Sequence, residues 1–123
     1  EKQWAQEAIE QYGYDNSLVQ ESARRWRMLT PADKDRIKAE GDAIYRDFAG
    51  LVAEDPAGPK VQGVVGRWHA HLGNFCDPGP EVLAGLGRMY ADNPDFRATF
   101  TAMDPELPEL LRDAIDYYVA NLP

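Results

Sequence analysis

"VVGRWHAHLGNF", residues 64–75, decides how this chain is read. A helix advances about 100° per residue. At that pitch Val64, Val65, Trp68, Leu72 and Phe75 fall on one stripe, with Val61 leading into it. Such a stripe marks an amphipathic helix with one face on a core. The same geometry turns His69 roughly 90° to one side of the stripe and His71 roughly 70° to the other. The two imidazoles diverge and cannot chelate one metal ion, for which helical ligands need spacings such as i,i+4. No metal or cofactor is therefore expected. Gly66 and Gly73 share the His69 flank, and glycine inside a helix costs about 1 kcal/mol against alanine. Something must approach the backbone closely there. It is either a neighbouring helix or a flat ligand on a shelf edged by His69 and Trp68.

Outward from this stretch the signals stay helical. Trp4, Ala8, Ile9 and Tyr12 share a face in residues 2–12, and Gly13 can end that helix. A second helix starts near Asp15 or Asn16 and runs through Leu18, Val19, Ala23 and Trp26. "TPAD" at 30–33 is a start signal: Thr30 can cap, Pro31 suits the first turn, and Asp33 favours the positive end of the dipole. Ile37, Ile44, Tyr45, Phe48, Leu51 and Val52 then mark one long face. "EDPAGP" at 54–59 and "CDPGP" at 76–80 break the chain. "DNPDF" at 92–96 and "MDPEL" at 103–107 place polar caps before prolines. No alternating strand pattern occurs. About seven helices and no sheet predict one compact all-α domain over residues 1–123.

Composition narrows the function. The chain has 123 residues, 13 Lys+Arg and 21 Asp+Glu, for a net charge of −8. That field repels a nucleic-acid duplex, and the one basic cluster, "RRWR" at 24–27, reads as a solvated helix face. No apolar run approaches the roughly 18 residues of a membrane span, and "EKQWAQEAIEQ" is not a signal peptide. The single cysteine excludes an internal disulfide and suits a cytoplasmic protein. Cys76 lies beside Asp77, whose charge disfavours a reactive thiolate. Neither a nucleophile elbow, a phosphate loop nor H-E-x-x-H is present, so an enzyme is not expected. One histidine without C-x-x-C-H leaves a haem or gas-binding globin-like protein as a remote alternative.

The residues "RWHAHLGNF…EVLAGLGRMYADNPDF…DPELPELLRDAIDYY" resemble the TipAS drug-recognition domain of TipA-like, MerR-family transcriptional regulators. The pattern "GLGxMYxxxPxF", here Gly85 to Phe96, carries most of the likeness. The resemblance implies a globin-like fold with a ligand cleft and no haem. It implies binding of bulky, multi-aromatic peptide antibiotics, with residues 1–29 as a mobile lid over a helical core at 30–123. It further implies a DNA-binding domain upstream, a homodimer formed through a coiled coil absent from this chain, and no membrane partner. A free-standing drug-sequestering protein is the alternative role. A thiopeptide-binding member carries a reactive cysteine where this chain has Gly85, so non-covalent binding is expected. The expected ligand-binding residues are Trp4, Tyr12 and Trp26 from the lid. Trp68 and His69 on one wall face Gly85, Met89 and Tyr90 on another.

Overall fold

The computed structural model describes residues 16–123, with side chains from Gln20 onward. The expected helix at 2–12 lies outside the described residues. Six helices follow: α1 (Asn16–Met28), α2 (Pro31–Ala49), α3 (Pro59–Leu72), α4 (Pro80–Asp92), α5 (Pro94–Met103) and α6 (Leu107–Ala120). There is no strand among the described residues. The all-α reading holds.

Proline sets the phase of nearly every helix. Each of α2 to α6 has a proline in its first two positions. There its fixed φ is preorganised and its missing N–H costs nothing. Thr30 completes a capping box, accepting from the Asp33 amide at 3.0 Å while Asp33 accepts from the Thr30 amide. These bonds hold the Asp33 carboxyl below its ordinary range. Asn93 caps α5 by accepting from the amides of Asp95 and Phe96. The "MDPEL" signal resolves differently. Asp104 closes a turn onto the Glu106 amide, and α6 begins only at Leu107.

The core gathers one stripe from each of α2, α3, α4 and α6, with Phe100 added from α5. Trp68, Phe48, Val61, Val65, Met89, Leu107, Leu111 and Ile115 are all fully buried. α4 and α6 pack most intimately, and Gly87 is the reason. A Cβ at Gly87 would stand 3.1 Å from two side-chain carbons of Ile115. Gly41 plays a similar part between α2 and α3, where a Cβ would meet the His71 ring at 3.1 Å. Gln62 ties α3 to α6 by donating to the Ala114 carbonyl at 3.0 Å.

The stripe from 61 to 75 is not buried uniformly. α3 ends at Leu72, and Phe75 sits in the following turn, half-buried between Trp26 and His71. Trp68→Ala should therefore lower stability by about 3–5 kcal/mol. Phe75→Ala should cost about 1–2 kcal/mol, because its ring is only partly buried in the parent. Urea midpoints of the two variants check this order, and equal losses would contradict it.

Candidate functional site

On the flank of α3 turned away from the core, Gly66, His69, Ala70 and Gly73 follow one another at helical spacing. With Cys76, Asp77, Pro78 and Gly79 of the next loop they line a groove of about 410 Å³, open to solvent. Gly66 makes the floor: a Cβ there would meet nothing within 4 Å. Among the described residues, packing thus does not demand glycine at this point. Gly73 turns the chain, its Cβ position 3.0 Å from the Ala70 carbonyl.

The histidines diverge as the helical pitch requires. His69 is half-buried beside the groove, its Nδ1 2.8 Å from the Tyr118 hydroxyl of α6. His71 is buried on the opposite flank, its Nδ1 2.7 Å from Glu40 of α2.

α1 rests on the rim of the groove. Arg25 donates to the Gly73 carbonyl at 3.0 Å and to Asp77 at 2.8 Å, and its Nε reaches Glu21 at 2.7 Å. Trp26 stacks on Phe75 with centroids 5.8 Å apart, under Lys34 and Lys38. The "RRWR" cluster is thus more than a solvated face. Arg24 and Arg25 hold the Glu21 carboxyl down at about 2. Cys76 is buried against this helix, and burial is the main cause that pushes its thiol up; Asp77 adds less, being offset by Arg25 and a bond from Ser22.

Several expected site residues fall elsewhere. Trp4 and Tyr12 lie outside the described residues. Trp68, Met89 and Tyr90 are buried in the core and do not line the groove. Gly85 is buried within α4, and the wall opposite α3 is the 76–79 loop. Trp26 spends its ring on Phe75. His69 and Gly66 line this groove from within α3, whereas Gly73, read as a glycine inside the helix, is the cap just beyond its end. Arg25, Asp77, Pro78 and Tyr118 were missed, and the "CDPGP" break was the one available signal for the loop. A second hollow of about 440 Å³ lies between α2 and α3, but Arg46, Asp47 and Lys60 make it a charged surface dip.

Arg25→Ala should release α1 while leaving the core intact. Amide exchange in residues 20–28 should quicken about tenfold while residues 61–72 keep their protection. Acid should weaken α1 from within, because Glu21 pairs with Arg24 and Arg25 of the same helix. Glu21 has a depressed carboxyl, so its contribution is full above the ordinary value of 4.5 and is lost as pH falls toward about 2. Unchanged α1 protection in Arg25→Ala would show that the Trp26 and Cys76 contacts suffice to hold the helix.

The TipAS antibiotic-recognition domain family matches residues 4–118. The chain is 27% identical to the HTH-type transcriptional activator mta of Bacillus subtilis, over 85% of this chain and 41% of that protein. It is 29% identical to the HTH-type transcriptional regulator SkgA of Caulobacter vibrioides, over 94% of this chain and 48% of that one. It spans about half the length of these curated relatives. Among solved structures it resembles TipAS of Streptomyces lividans in complex with nosiheptide, with a TM-score of 0.79 and 25% identity, over 97% of this chain and 85% of that one. The chain belongs to the TipAS antibiotic-recognition domain family.

Proposed function

We propose that this domain is the effector-sensing part of a MerR-family transcriptional activator. It takes bulky, multi-aromatic peptide-antibiotic-like ligands non-covalently in the groove between α3 and the 76–79 loop. The observation that carries the reading is the groove itself. In a chain of a drug-recognition family, α3 keeps a bare glycine where no described neighbour demands one, and α1 is fastened to the rim beside it. A flat ring laid over Gly66 would gain the Ala70 and Pro78 surfaces and the His69 edge. α1, fastened to the rim, would then form part of a lid over the groove.

The greater length of the regulator relatives favours a sensor over a free-standing sequestrant. DNA is reached through a separate upstream domain, the regulator pairs through its own coiled coil, and it works in the cytoplasm. No described helix is long and apolar enough to cross a membrane. Non-covalent binding accords with the buried Cys76 thiol being pushed up and with Gly85 at the resemblance position.

Thermal unfolding with nosiheptide and other multi-aromatic peptides tests the reading. A ligand at about 100 times its Kd adds about 2.7 kcal/mol of stability. Gly66→Leu should leave the free protein folded, since a Cβ there meets no described atom within 4 Å and leucine suits a helix better than glycine. It should nevertheless abolish the ligand-induced shift. A variant that binds as well as the parent would place the ligand elsewhere.

A further inference from the structure

His69 is the one titratable side chain of α3 on the groove, and its Nδ1 is already engaged. The partner is the Tyr118 hydroxyl at 2.8 Å, with the rings edge to face at 5.6 Å and 86°. Tyr118 comes from the last turns of α6, and α6 is pinned by Leu107, Leu111 and Ile115 in the core. The hydroxyl is therefore a fixture of the fold.

A neutral imidazole carries one N–H and one bare nitrogen, and the bond made by one nitrogen decides the role of the other. A phenol hydroxyl is a stronger donor than a neutral imidazole N–H. An imidazole nitrogen is a stronger acceptor than a phenol oxygen. The better pairing has Tyr118 donating its O–H to Nδ1. The proton of His69 then stands on Nε2, for which the described residues supply no partner.

We propose that Tyr118 is a positioning residue that holds His69 as the Nε2–H tautomer, making His69 a fixed hydrogen-bond donor to ligands in the groove. This rests on the groove being the ligand site. It defines the ligand class further: a flat group bearing a carbonyl or ring-nitrogen acceptor at its edge, seated on the Gly66 floor. A group offering only donors there would meet a donor and be rejected.

Imidazole proton–nitrogen correlation spectra of the ligand-free protein at about pH 8, above the ordinary histidine range, read the tautomer directly. The expected spectrum shows His69 protonated at Nε2 and bare at Nδ1. Tyr118→Phe keeps the ring and removes only the hydroxyl. It should turn His69 into a tautomer mixture, leave His71 unchanged, and weaken nosiheptide binding about three- to tenfold. In a His69→Leu background the same substitution should change affinity no further, as a purely structural role would not predict. A parent spectrum with the proton on Nδ1, or a tautomer unaffected by Tyr118→Phe, overturns the proposal. If the parent ignores nosiheptide while the spectra behave as expected, the assigned ligand class fails but the Tyr118 role stands.

Discussion

The burial of Trp68 fixes the rotation of α3, and the site depends on that rotation. Its indole is fully buried, and its N–H donates to the Tyr90 hydroxyl at 3.3 Å, with the rings edge to face. Tyr90 meets Tyr45, Phe96 and Phe100, and its hydroxyl lies 3.1 Å from that of Tyr45. Burial pushes both phenols up, so the trio stays neutral and hydrogen-bonded within an apolar core. An indole N–H left without a partner in that setting would cost about 1–3 kcal/mol. α3 therefore has one acceptable rotation. Gly66 and Gly73 then face outward, His69 turns toward α6 and His71 toward α2.

The two flanks of α3 do opposite work. On the His71 side the helix meets α2 closely, with Gly41 making room and Glu40 pairing the imidazole across the junction. On the His69 side no described residue fills the space above Gly66, and the chain beyond Gly73 curls back to form the second wall. Arg25 bridges that turn to α1. A guest in the groove would therefore touch residues that also hold α1.

Much of the fold was legible because its signals are local. Pro31, Pro59, Pro80 and Pro94 open helices, Thr30 and Asn93 cap them, and the apolar stripes repeat at helical pitch. The flank carrying His69, Gly66 and Gly73 was equally local. Periodicity shows which residues share a face but not what covers that face. Met89 and Tyr90 thus read as a cleft wall, although α5 and α6 seal them into the core. Gly87 serves close packing on Ile115, the blander of the two readings open for a helical glycine. The reach of Arg25 to Asp77 and of His69 to Tyr118 joins residues far apart in sequence, and no spacing rule announces them.

Backbone amide spectra of the protein titrated with nosiheptide test the central claim most directly. The account predicts that the largest shifts fall on Gly66, His69, Ala70, Gly73 and residues 76–79, except the amide-free Pro78, with α1 following through Arg25. Shifts centred on Arg46, Gly50 and Lys60, at the charged hollow between α2 and α3, would contradict it.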